Sequence, residues 1–268
     1  MPPIQRDAMV ELANLLRSLH HQKRPLVLPN AWDVGSAQAI ERAGASAIAT
    51  TSSGVAASFG LEDGQVPVGE VFLAVLRIAG TVRVPVTADL EAGYGLAPEL
   101  LVEEMLRAGA VGLNLEDTDW TAAVPVLVDA GEQAERIAAV REASRGAGVP
   151  IVINARVDAF LRHLGDPREL LDDATDRARA YREAGADCVY PIGLDDAGAI
   201  GRFVRRVGGP VNILLRPGSP SLAHLRRLGV RRISLGGGLW QQAQAMTESL
   251  ARRLLSGDGG PFIETGDD

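Results

Sequence analysis

The chain has 268 residues, 46% hydrophobic and only 4% aromatic, with 30 Gly and a single Cys. That length suits one α/β barrel, which takes about 250 residues, and it is enough to bury a large core. A net charge of −7 argues against nucleic acid or an anionic membrane as partner, and the lone Cys188 excludes an internal disulfide and a multi-Cys zinc site.

Residues 1–24 read as an opening helix. Asp7 and Glu11 fall where the apolar core of a signal peptide would lie, and with the single thiol this points to a cytoplasmic protein. Ala43 to Leu61 carries no charge, but its Thr, Ser and Gly residues make it too polar for a membrane span. It reads as a buried strand running into a small-residue loop.

Two boundary marks then alternate down the sequence. One is a Pro opening an aliphatic run, at Pro25, Pro85, Pro150 and Pro210; Pro is tolerated at a strand's first residue and not within it. The other is a Gly ending a helix just before a strand, at Gly44, Gly109, Gly185 and Gly229, where the left-handed conformation suits glycine. Interleaved, they give eight strand starts, at 25, 44, 85, 109, 150, 185, 210 and 229. Between them lie helices. Pro98-Glu99 opens one with Leu101, Met105 and Leu106 as its stripe, and Asp166-Pro167-Arg168-Glu169 has the form of a capping box. Ser219-Pro220 starts another.

Eight strands alternating with helices, without a compositional break, is the pattern of a single (β/α)8 TIM-type barrel over residues 1–268, with 257–268 as a frayed tail. A doubly wound open sheet would more often show fewer strands or a Gly-rich first turn.

Three strand-like runs end in charge: Val84–Ala88 before Asp89 and Glu91, Gly112–Leu115 before Glu116 and Asp117, and Ile151–Ala155 before Arg156 and Asp158. Charge repeated just past the carboxyl ends of buried strands has little structural use and reads as an active-site floor. Several carboxylates converging with one Arg suggest a divalent metal and an oxyanionic substrate.

Asp89-Leu-Glu91-Ala-Gly93-Tyr94-Gly95 resembles the acidic signature of the isocitrate lyase/phosphoenolpyruvate mutase superfamily. Asn30-Ala-Trp32-Asp33, Thr51-Ser52-Ser53-Gly54, Gly60-Leu-Glu-Asp63, Leu115-Glu116-Asp117 and Ala155-Arg156-Val157-Asp158 extend the likeness, in order, from about residue 28 to about residue 240. The resemblance implies a barrel, commonly a homo-oligomer (dimer or tetramer) with its last helix exchanged between neighbours. It also implies Mg²⁺-dependent chemistry, with Mn²⁺ as a substitute, at C3 of an enolpyruvate or 2-oxo-acid unit of a small carboxylate substrate. Two departures stand out. Glu91 replaces the family's usual second Asp. Thr118–Ala130 contains no Cys, Lys or His, so the loop that supplies a proton-donating Cys in the carbon–carbon lyases is missing, as are the loop Lys and Asn of the phosphonomutases.

On this resemblance Asp89 is expected to touch the metal, with Glu91 and Glu116 holding its waters. Arg156, Asp63 and Glu116 are the candidate catalytic residues, with Arg156 pairing with the substrate carboxylate or the developing enolate. The Thr51-Ser52-Ser53-Gly54 turn, Tyr94 and Gly95 are the candidate substrate contacts, although Tyr94 could equally pack over the barrel mouth and Asp63 could be a solvated loop acid. Asp89 could instead cap the following helix, and Arg156 could serve an ion pair with Asp158 or Glu116. Gly236-Gly237-Gly238 reads as a tight strand-to-helix turn, Cys188 as an inert buried thiol, and Trp120 as part of a lid or as ordinary packing. His20, His21, His163 and His224 form no ligand spacing. The reading is of a lyase working through a metal-stabilised enolate, by 2-methylisocitrate-like cleavage or oxaloacetate-type decarboxylation. The alternatives are carbon–phosphorus chemistry and a non-catalytic carboxylate-binding barrel.

Overall fold

The computed structural model describes residues 6–162 and 166–258, so most of the expected tail and His163 lie outside the described residues. Helix α1 (Arg6–Leu19) comes first, burying Met9, Ala13, Leu16 and Leu19 at helical spacing. It closes the amino-terminal end of the strands. Its Leu16 packs directly on Gly112, where a Cβ would come within 2.9 Å of Leu16 Cδ2 and 3.0 Å of the Val152 carbonyl oxygen, so the missing side chain lets helix and strand approach closely. Arg17 bonds the Ile151 carbonyl and the Asp187 carboxylate, tying the helix to two neighbouring strand entries.

There follow β1 (Leu26–Leu28), β2 (Asn30–Ala31), α2 (Val34–Arg42), β3 (Ile48–Thr50), α3 (Ser52–Ser58), α4 (Val68–Ala79) and β4 (Val86–Asp89). After a short 3-10 turn (Gly93–Gly95) come α5 (Pro98–Arg107), β5 (Gly112–Glu116), the hairpin β6 (Thr118–Asp119) and β7 (Val126–Leu127), α6 (Ala130–Ala147) and β8 (Val152–Val157). The chain continues through α7 (Ala159–Arg162), α8 (Pro167–Glu183), β9 (Cys188–Pro191), α9 (Ala197–Val207), β10 (Asn212–Leu214), α10 (Leu222–Arg227), β11 (Arg232–Ser234) and α11 (Gly238–Leu255).

The strands β2-β3-β4-β5-β8-β9 form one parallel sheet and β1-β11-β10 another. Two links join them into a ring. Val189 and Val211 make a parallel bridge, and β1 and β2 are one run interrupted only at Pro29. The fold is therefore the expected α/β barrel, with the aliphatic strand residues buried and helices around them.

Each expected strand start falls one to four residues before an observed strand. Gly44, Gly109, Gly185 and Gly229 all have φ between 85° and 113°, the left-handed region anticipated for them. Three local expectations change. The stretch after β3 is helix α3 rather than a loop, because the Thr51 hydroxyl caps it by accepting the Gly54 N–H. Helix α10 starts at Leu222, capped by Ser221. Asp166 caps α8 by accepting the Arg168 N–H, while the full reciprocal box is made by Asp33 and Ser36 at α2. Among the described residues, no helix is long and apolar enough to cross a membrane.

Candidate active site

Strand register assembles the floor. Asp89 lies opposite Asn114 and Asn114 opposite Asn154, while Glu116 lies opposite Arg156 and Arg156 opposite Tyr190. Residues two apart on a strand share a face, so these side chains form adjoining layers. Asn154 Nδ2 donates to Asn114 Oδ1 at 2.8 Å, and Arg232 Nη2 donates to the same oxygen at 3.2 Å. With its oxygen thus taken, the Asn114 amide turns its Nδ2 to Asp89 Oδ1, at 3.0 Å. The other Asp89 oxygen accepts from the Ser52 N–H at 3.2 Å and hydroxyl at 3.1 Å. Asp89 is thus oriented by Asn114 on the neighbouring strand β5 and by Ser52 at the start of α3, and not by the helix that follows it in the chain.

Arg156 is held equally firmly. Its Nε donates to Asp158 Oδ1 at 2.6 Å and its Nη2 to Oδ2 at 2.9 Å, while Nη1 pairs with Glu116. Glu116 also accepts from the Trp120 indole. Burial pushes the Glu116 pKa up, against the pull of Arg156. Contrary to expectation, two of the charges past the strand ends have a structural use. Asp158 is fully buried and also accepts from the Thr118 hydroxyl at 2.5 Å. Asp117, also fully buried, accepts from the Asp158 N–H at 2.8 Å, the Tyr181 hydroxyl at 2.7 Å and Arg177 at 3.3 Å. A buried carboxylate is tolerated when donors surround it this way, so these two acids serve as braces for the loops after β5 and β8.

A cavity of about 700 Å³ opens above the floor. Thr51, Ser52, Ser53, Asp63, Asp89, Glu91, Glu116 and Arg156, all expected at the site, line it. Gly54, Tyr94 and Gly95 are not among its lining residues. Gly54 faces inward instead, where a Cβ would sit 2.6 Å from Thr51 Cγ2 and 3.2 Å from Trp32 Cβ. Tyr94 packs against the core and donates from its hydroxyl to Glu91 Oε1 at 3.3 Å. Both Glu91 and Tyr94 hold positive φ, 49° and 55°, a strained backbone for non-glycine residues. The sharp turn they make aims Glu91 back at the cavity. Gly236 and Gly237 form the turn into α11 and line the cavity too. A Cβ on Gly237 would lie 2.9 Å from Ser53 Oγ.

Asn114, Tyr190 and Arg162 also line the cavity, and Asn154 supports Asn114 from below; none of the four was expected at the site. For Asn114 and Asn154 a signal existed: each is the one polar side chain inside an aliphatic run, two residues before Glu116 and Arg156 respectively. Trp120, left open between lid and packing, bonds Glu116 and borders the cavity.

The acids carry more negative charge than their neighbours offset. Burial first, then Asp63 and Asp89, push Glu91 up to about 7. Burial and Asp89 also raise Asp63, with a Ser52 hydrogen bond opposing. A divalent cation would relieve this excess, and the donor set is all oxygen, as Mg²⁺ prefers. Among the described residues no three His, Cys, Asp or Glu side chains converge on one ion position. The cluster therefore suits an ion that takes one or two carboxylates and keeps its waters.

A ring of parallel strands with a charged cavity at their carboxyl ends is the layout of a (β/α)8-barrel enzyme. The chain belongs to the phosphoenolpyruvate mutase family, within the isocitrate lyase/PEP mutase superfamily of lyases and mutases: the family model described as phosphoenolpyruvate phosphomutase matches residues 16–255. An uncharacterized Mycobacterium tuberculosis protein is 33% identical over 90% of this chain and 88% of its own. The 2-methylisocitrate lyase of Aeropyrum pernix is 30% identical over 78% of this chain and 66% of its own. A Burkholderia cenocepacia crystal structure, named only provisionally as a phosphonomutase, superposes with a TM-score of 0.84 at 40% identity, covering 91% of this chain and 99% of that one.

Proposed function

We propose that this protein is a Mg²⁺-dependent lyase that breaks a bond to C3 of a 2-oxo-acid or enolpyruvate unit through an enolate. The bond is carbon–carbon, either in a 2-methylisocitrate-like acid or in an oxaloacetate-like one that loses carbon dioxide. The observation that carries this reading is the excess of carboxylate at Asp63, Asp89 and Glu91 beside the fixed guanidinium of Arg156. When bound, the metal would supply Lewis-acid stabilisation of the developing enolate oxygen.

The chain's own groups then have distinct tasks. Asp89, held at both oxygens, would contact the metal directly, and Glu91 and Glu116 would help hold it through water. Asp63, in the loop between α3 and α4, closes the same side. Arg156 has its plane set by Asp158 and Glu116, lines the cavity, and keeps N–H groups unpaired for the substrate carboxylate. Such preorganised donors favour the transition state because no reorganisation is needed as charge develops. Thr51, Ser52 and Ser53 offer hydroxyls beside them. With no Cys, Lys or His in Thr118–Ala130, the proton that quenches the enolate comes from water or a cavity acid. That favours decarboxylation over isocitrate-type cleavage. Carbon–phosphorus chemistry is the second reading, supported by the matching family model and weakened by the missing loop Lys and Asn.

We also propose a cytoplasmic homo-oligomer, dimer or tetramer, with α11 exchanged. None of its 18 residues is buried, and an apolar groove of about 680 Å³, lined by Leu19, Val27, Ile40 and Leu235, lies on the barrel flank. Deleting the chain from Gly238 onward would then yield a monomer by light scattering.

The functional test uses oxalate, an enolate mimic, in thermal unfolding. The expected result is stabilisation by oxalate only when Mg²⁺ is present, and no such synergy would refute the reading. A panel of 2-oxo and 2-hydroxy di- and tricarboxylates, scored for pyruvate and carbon dioxide, then separates cleavage from decarboxylation.

A further inference from the structure

Charge is distributed unevenly around the cavity. In strand order, Asp63 follows β3, Asp89 and Glu91 close β4 and Glu116 closes β5, whereas Arg156 lies on β8, Arg162 ends α7 and Arg216 follows β10. The rim thus has an acidic arc and a cationic arc, and the cationic arc also carries the apolar side chains of Leu161, Ile192 and Leu214.

The three cations are not equivalent. Arg156 is paired with Glu116 and Asp158, and Arg216 with Asp195. Arg162 has no carboxylate partner among the described residues. Its guanidinium carbon lies 4.7 Å from the centroid of the Trp120 ring, and its Nε is buried without a hydrogen-bond partner. A guanidinium held over an indole face is restrained there by the ring's π-density, which does not consume its N–H donors. Trp120 is itself anchored through its indole N–H to Glu116. A chain of contacts therefore sets Arg162 relative to the floor, with donors unused, beside a cavity of about 700 Å³. That volume exceeds the need of a two-carbon acid and lies within the range of ligand pockets.

We propose that Arg162, stacked on Trp120, receives a second carboxylate of the substrate, so that the site selects 2-oxo or 2-hydroxy dicarboxylates over monocarboxylates. The inference rests on the functional reading, in which the 2-oxo-acid end lies at Asp89 and Arg156. The carbon chain crosses the apolar lining and its distal carboxylate completes the donors that Arg162 leaves open.

Calorimetric titration with Mg²⁺ present tests this, using oxalate, which fills only the near end, and 3,3-difluorooxaloacetate, which adds a distal carboxylate. Arg162→Gln should bind the four-carbon ligand about tenfold or more weakly, the size of a charge-assisted hydrogen bond, and bind oxalate within about twofold of wild type. Arg162→Lys should recover part of the loss. Equal affinity of wild type and Arg162→Gln for the four-carbon ligand would overturn the inference, as would an equal loss for both ligands. Oxalate failing to bind wild type would count against the functional reading instead, and the dependence of the four-carbon ligand on Arg162 would still decide this one.

Discussion

Mild acid should destabilise this barrel through one histidine at its closed end. His20 follows α1, is 1% exposed, and has its Nδ1 2.8 Å from the Leu16 carbonyl oxygen. Burial, and next the neighbouring Arg232 guanidinium, lower its pKa from 6.5 to about 4. As the pH falls through 6.5 the unfolded chain takes up a proton at this ring, while the folded chain does not until about 4. Stability is therefore lost as the pH falls across that window. Between about pH 7.5 and pH 5 the loss from this one group is about 2 kcal/mol. Urea unfolding over a pH series measures it, comparing wild type with His20→Gln, which keeps a donor for Leu16 and cannot titrate. The wild-type stability should fall by about 2 kcal/mol more than that of the variant, since other groups contribute equally to both. Parallel curves for the two proteins would show that His20 is not held neutral, and the reasoning would fail.

Asp89→Ala should abolish Mg²⁺-dependent stabilisation by oxalate, whereas Cys188→Ser should leave it nearly intact; thermal unfolding with and without the metal reads both. Burial pushes the Cys188 thiol up to about 12, so Ellman's reagent should label it only once the protein is unfolded. Asp117→Ala strands the Tyr181 hydroxyl, the Arg177 guanidinium and the Asp158 N–H. It should cost about 3–5 kcal/mol in chemical unfolding; a loss below about 1 kcal/mol, the size of an ordinary surface change, would contradict the bracing role.

The strand count was legible because Pro and Gly act on backbone conformation alone. Pro25, Pro85, Pro150 and Pro210 precede strands, and the helix-ending glycines hold positive φ, whatever surrounds them. Asp89, Glu116 and Arg156 were legible together because three neighbouring strands, β4, β5 and β8, each end in charge. What stayed hidden depends on partners far along the chain. Asp117 and Asp158 look like site acids until Tyr181 and Arg177, some 60 residues away, are brought against Asp117. Tyr94 sits in the right motif, yet a left-handed backbone turns its hydroxyl to Glu91 rather than into the cavity. Arg162 gave no sign, since its meaning comes only from the indole beneath it.

Anomalous diffraction from a crystal soaked in Mn²⁺ probes the proposed chemistry most directly. A single peak at bonding distance from an Asp89 carboxylate oxygen, on the cavity side and absent in Asp89→Ala, is the expected result. A fully soaked crystal with no peak there, or with the ion bound elsewhere while Asp89 keeps only its Ser52 and Asn114 contacts, would contradict it.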